Sequence, residues 1–240
     1  MSQPVTYSSY LHIADLLSLQ QPQTDAHDEL LFITIHQAHE VWFKLVLHEL
    51  SDARDALLER DVARCGLRLR RASCTFRVLA HQWEVLDTMR PAGYLEFRYA
   101  LEGGSGFQSS QFREIEFLCS GGDEGYLSSA WLSESEVAAL QGRVGAPTIR
   151  DAFLSLLEHE ALDVPTVIAN LSGRSDLEEL SECLVEFDTT VAAWRMRHSV
   201  AVERQIGHKV GTGGSAGTNY LRQVANNRMF PELWSARTEL

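Results

Sequence analysis

The sequence predicts an all-α fold, a single-domain helical bundle over residues 1–240, and three observations carry that prediction. Apolar residues recur at helical spacing along most of the chain. No stretch alternates apolar and polar residues between turn residues, as a half-buried strand would. No internal repeat, low-complexity tract or long linker divides the chain. With 240 residues, 45% of them hydrophobic and 22% charged, the chain has ordinary globular composition and is long enough for one sizeable core.

Taken in order, the clearest helix begins near Asp28 and runs through Leu50, with one stripe of Leu31, Ile35, Ala38, Trp42 and Leu45 and a second of Phe32, His36, His39 and Phe43. Arg54 to Leu86 reads as a further helix or a hairpin of two, broken near Cys65-Gly66 and stopped by Met89-Arg90-Pro91-Ala92-Gly93. A turn at Gly103–Gly106 precedes a helix from Phe107 to Leu118. The segment from Ser120 to Pro147 is loose, with one short helix announced by Ser133 and Glu136 at capping-box spacing. Ser175 and Glu178 repeat that spacing at the start of a long helix running to about Gly207. The tail is glycine-rich from Gly211 to Gly217 and then helical through Tyr220-Leu221.

Charge and cysteine usage exclude several functions. Acidic residues outnumber basic ones 33 to 21, and the resulting −12 repels phosphate backbones, so no nucleic-acid partner is expected. No apolar run approaches the ~20 residues of a membrane helix, and the first residues lack the basic and apolar regions of a secretory signal. The four cysteines (Cys65, Cys74, Cys119, Cys183) are scattered with no C-x-x-C pair, as expected for reduced thiols in the cytoplasm.

Nine histidines direct attention to metal or cofactor chemistry. His36 shares an apolar helix face with Phe32, and a buried imidazole there is either a core residue bonded to a neighbour or a functional group. His36 and His39 with Glu40 do not form an H-E-x-x-H pattern, so a bare-metal site is disfavoured. His198 lies in line with Val191, Trp194 and Ala201, bracketed by Arg195 and Arg197; one imidazole on an apolar face beside guanidinia suits a haem and its propionates. The Gly211–Gly217 loop lacks a P-loop lysine and a preceding strand, so it is a flexible connection or a small-anion turn in which Thr212 takes part. Arg98, beside Tyr94, Phe97 and Tyr99, is either a carboxylate clamp or a surface ion pair.

Four blocks, in order, resemble the tryptophan 2,3-dioxygenase family of helical haem enzymes: Tyr7-Ser-Ser-Tyr10-Leu11; His27-Asp-Glu-Leu-Leu-Phe-Ile-Thr-Ile-His36-Gln37 with Trp42-Phe43-Lys44; Phe97-Arg98 leading to Ser105-Gly-Phe-Gln-Ser109; and Gly211-Thr-Gly-Gly-Ser215. Ser120 to about Glu186 matches poorly. The resemblance implies a haem pocket between helices that holds haem b, ferrous when active, with His198 as proximal iron ligand and Ser105 beside the haem. It implies that His36 accepts a hydrogen bond from the substrate's indole N–H, that Phe32, Tyr7, Tyr10, Tyr94 and Leu101 enclose the ring, and that Arg98 and Thr212 hold the amino-acid end. It further implies dioxygen insertion across the indole C2–C3 bond of L-tryptophan to give N-formyl-L-kynurenine. The family's homotetramer, in which the N-terminal segment (residues 1–24) completes a neighbour's pocket, is implied too. His39, Val41 and Ala216 depart from the family pattern. The alternatives are a relative that mono-oxygenates a substituted tryptophan and a non-catalytic haem sensor.

Overall fold

The computed structural model describes residues 4–101, 103–209 and 218–240. Its elements are α1 (Tyr7–Tyr10), α2 (Ile13–Leu17), α3 (His27–Leu58), α4 (Val62–Leu86), α5 (Pro91–Phe97), α6 (Ser110–Ser120), α7 (Glu134–Gln141), α8 (Ile149–His159), α9 (Val164–Ile168), α10 (Ser175–Ile206), α11 (Thr218–Ala225) and α12 (Pro231–Ser235), with short 3-10 turns between some of them. Among the described residues there is no strand, so the fold is all-α as the periodicity predicts.

The frame is made by three long helices. α4 packs along both α3 and α10, while α3 and α10 pack little against each other directly. The gap between them is filled by large rings, among them Phe43, Phe76, Phe112, Trp83 and Trp194, and stays open as a cavity at one end. A continuous apolar core runs from Ile35 to Ala236, and a small satellite of Phe117, Tyr126 and Leu140 lies under the loose segment. Burying rings of this size is the dominant stabilising term for such a bundle.

Local chemistry corrects several sequence expectations. The break between α3 and α4 falls at residues 59–61, not at Cys65-Gly66: Arg60 turns to φ 63°, and the Asp61 carboxylate accepts the Arg64 N–H at 3.0 Å to cap α4. Gly66 lies inside α4, where a Cβ would meet Arg70 and Cys183 only at ordinary contact distance, so it marks neither a turn nor a close approach. Gly106–Gln108 is a 3-10 turn, and α6 starts only at Ser110, because Ser109 caps it by accepting the Phe112 N–H. The Ser133–Glu136 capping box forms. The Ser175–Glu178 box does not, because α10 already starts at Ser175 and Arg174 stands at the cap, its guanidinium on Asp176 at 2.9 Å. Residues 148–174, unassigned by periodicity, hold α8 and α9, each with a side-chain cap from Thr148 or Asp163.

Two buried polar ties fix α10 beside the cavity. Asp188, fully buried, accepts from the backbone N–H of Met229 and the Trp234 indole, clamping the C-terminal segment. Arg195 donates to Glu116 of α6 at 2.6 Å and to the Asn227 carbonyl at 3.0 Å.

Candidate active site

Each frame helix sends one ring to the same place. His36 comes from α3, Trp83 from α4 and His198 from α10, and all three line both lobes of the cavity. The lobes measure about 110 and 80 Å³ and also share Gly106, Phe107 and Leu221. Phe32, Tyr94, Leu101 and Ser105 belong to the first lobe; His39, Phe43, Phe112 and Trp194 belong to the second.

Burial keeps both histidines neutral, and a hydrogen bond fixes the tautomer of His36. His36 Nδ1–H donates to the Phe32 carbonyl one turn earlier, at 2.7 Å, which leaves Nε2 as an acceptor. Burial lowers its pKa, with the Phe32 hydrogen bond partly opposing, so the ring is neutral near pH 7. Burial pushes His198 down to about 3, with the imidazoles of His36 and His39 adding to the shift. His198 stacks on Trp83 at 4.8 Å and on Trp194 at 5.8 Å and has no hydrogen-bond partner among the described residues. A neutral imidazole with a free nitrogen is what a metal ligand requires. Among the described residues no three His, Cys, Asp or Glu side chains converge to hold a bare ion.

The aromatic end of the site is built by α3 and α5. Phe32 lies 4.1 Å from His36, 5.4 Å from Phe97 and 6.1 Å from Tyr94. Pro91 at the first position of α5 starts the helix, and Gly93 leaves room for the Asp28 carboxylate where α5 meets α3. Burial raises the Tyr94 pKa while Arg98, hydrogen-bonded to it, opposes. Arg98 thus stands at the rim beside Tyr94 rather than among the residues lining the cavity. Ser105 lines the first lobe, caps the following turn through the Phe107 N–H, and pairs with Gln108.

Other candidates stand apart from this cluster. Tyr7 and Tyr10 are 77% and 74% exposed on α1, away from this chain's own cavity. Thr212 lies outside the described residues. Of the two arginines read from sequence as propionate partners, Arg195 by contrast lines the second lobe while donating to Glu116, and Arg197 lies within 4 Å of Glu84 and Asp87. Sequence reasoning missed Trp83, Phe107 and Trp194 as wall residues; Trp83 sits on the buried Leu79–Leu86 face of α4, which looks like any core stripe.

Comparison with known proteins shows the family. A family model described as tryptophan 2,3-dioxygenase matches residues 1–128 and 149–240, so the poorly matching segment is shorter than the sequence suggests and covers only the surroundings of α7. Among curated relatives, a tryptophan 2,3-dioxygenase of Nocardioides sp. is 44% identical over 98% of this chain and 95% of its own length. One of Caulobacter vibrioides is 37% identical over the whole of both chains, and one of Bacillus cereus is 36% identical over 98% and 93%. With two imidazoles lining one aromatic cavity and a match over nearly its whole length, this chain belongs to the tryptophan 2,3-dioxygenase family.

Proposed function

We propose that the chain is a single-domain haem dioxygenase that opens the indole ring of L-tryptophan to N-formyl-L-kynurenine. The observation that carries this reading is the pair His36 and His198: both neutral, on separate helices, lining one aromatic cavity. The residues present fit a haem. His198 has a ring nitrogen free for iron, and the walls are apolar rings and aliphatics that suit a flat macrocycle. Bound ferrous haem b supplies the activation of dioxygen.

The chain's own residues orient the substrate and keep water out. His36 Nε2, fixed as an acceptor by the Phe32 carbonyl, receives the indole N–H and so aligns the C2–C3 bond. The N–H is too weak an acid to titrate near neutral pH, so His36 positions rather than abstracts. Phe32, Tyr94 and Leu101 enclose the ring, and Ser105 borders the cofactor. Arg98 at the rim, with Thr212, takes the carboxylate and ammonium of the amino acid, a task for which a planar guanidinium is well shaped.

The exposed Tyr7 and Tyr10 are assigned to a neighbouring subunit's pocket in a homotetramer. No helix among the described residues is long and apolar enough to cross a membrane. The test is to load the purified protein with haem, reduce it, supply L-tryptophan in air and follow formylkynurenine absorbance. His198→Ala, loaded in the same way, is expected to retain little haem and to form no product.

A further inference from the structure

His39 is a buried imidazole of the cavity to which the proposed reaction gives no task. Only 4% of it is exposed; Nδ1–H donates to the Ile35 carbonyl at 2.8 Å, and Nε2 has no partner although it is buried. Leaving a buried acceptor unpaired forfeits the hydrogen bonds it would make to water, so it calls for a donor. His39 lines the second lobe together with His198. Both imidazoles rest on the same two indoles: His39 lies 4.4 Å from Trp83 and 5.9 Å from Trp194, and His198 lies 4.8 and 5.8 Å from them. The indole N–H groups of Trp83 and Trp194 are themselves buried and unpaired.

The donors and the acceptor are complementary. When one nitrogen of His198 binds iron, the other carries a proton, and a ligating histidine nearly always gives that proton to an acceptor. No acceptor for it lies within hydrogen-bond reach among the described residues. We propose that His39 is a positioning residue for His198, its Nε2 accepting the His198 ring N–H through one water held between them in the second lobe. Such a water has the two to four partners a buried water needs: it receives from His198 and one indole N–H and donates to His39. The bond fixes the His198 ring and strengthens it as a donor, which favours ferric over ferrous haem. The inference rests on His198 being the haem ligand.

The experiment measures the reduction potential and haem content of the loaded protein for wild type, His39→Phe, His39→Gln and His198→Ala. Phenylalanine keeps the ring and removes the acceptor; glutamine keeps an acceptor near the Nε2 position. Outer-shell partners are typically worth ten- to a hundredfold in metal affinity or activity, and the bond proposed here acts more on the ferric than on the ferrous state. His39→Phe should therefore shift the ferric/ferrous equilibrium at least tenfold toward ferrous, a rise of ~59 mV or more, at unchanged haem content. His39→Gln should stay close to wild type. An unmoved potential in His39→Phe, or equal shifts in both His39 variants, overturns the proposal while leaving haem ligation by His198 intact. Full haem retention in His198→Ala overturns the ligand assignment, and this inference with it.

Discussion

The Phe32 carbonyl accepts the Nδ1–H of His36 at 2.7 Å, and the two rings lie 4.1 Å apart. One turn of α3 therefore supplies both the wall and the oriented acceptor of the site. Replacing His36 by Ala removes the acceptor and leaves the indole N–H of bound substrate unsatisfied, worth about 1–3 kcal/mol, or roughly one to two orders of magnitude in kcat/KM. N1-methylated tryptophan, which has no such donor, should show a much smaller difference between the two proteins. Equal losses for both substrates would contradict the role given to His36.

The same bond sets a pH response. Because burial lowers the His36 pKa below its ordinary 6.5, the neutral acceptor form persists from alkaline pH down through that value. KM for tryptophan should stay level between pH 8 and about 6.5, and rise only on further acidification, as protonation turns Nε2 into a donor facing the indole N–H. A rise centred at or above 6.5 would mean that the imidazole is freely solvated. Steady-state kinetics across the range decides it.

Arg98 beside Tyr94 is the test of the amino-acid clamp. Arg98→Ala or Arg98→Lys should lower kcat/KM for tryptophan by about thirtyfold or more, since breaking a desolvated charge pair costs ~2–5 kcal/mol. Indole substrates lacking the carboxylate should be nearly insensitive. Four rates, from two proteins and two substrates, give the answer.

Glu29 anchors the segment that leads from the N-terminal helices to α3. Its carboxylate accepts from the backbone N–H groups of Gln23 and Thr24, both at 2.8 Å, and from the Thr24 hydroxyl at 2.6 Å. Burial pushes its pKa up, but these hydrogen bonds outweigh it and the net shift is downward. A carboxyl whose folded pKa is lowered adds stability above its unfolded pKa of 4.5, and that stability is lost as pH falls through the folded value. Glu29→Gln should therefore unfold more readily in urea at pH 7, by ~1–3 kcal/mol, with the gap to wild type closing below about pH 4. A gap independent of pH would deny the carboxylate its part.

The exposed Tyr7 and Tyr10 predict what truncation does. Removal of residues 1–12 should weaken tryptophan binding severalfold or more and leave haem content nearly unchanged, because α1 and α2 contribute no buried residue to the core. Light scattering on the full chain should give an oligomer. A fully active monomer would contradict the shared pocket.

Much of this was legible in the sequence, for identifiable reasons. Period-3.6 patterning marked α3 and α10, and the Ser133–Glu136 box marked α7. Phe32 and His36 were visible as a pair because both lie on one stripe of one helix. The break at residues 59–61 was not, because Arg60 adopts a left-handed φ without being glycine, while the nearby Gly66 is helical. Trp83 and Trp194 were illegible as site residues because their part depends on α3 and α10 both packing on α4 while meeting each other little, a tertiary fact. Arg195 is ambiguous in the sequence, since pairing with Glu116 and pairing with a haem place the same residue type on the same helix.

The central claim is that this cavity directs both atoms of one dioxygen molecule into tryptophan. Single-turnover reaction of the reduced, haem-loaded protein with L-tryptophan under ¹⁸O₂, read by mass spectrometry, tests it most directly. The account predicts N-formyl-L-kynurenine carrying two labelled oxygens. A ring-intact product with a single labelled oxygen, or no labelled product from protein with full haem, would contradict it.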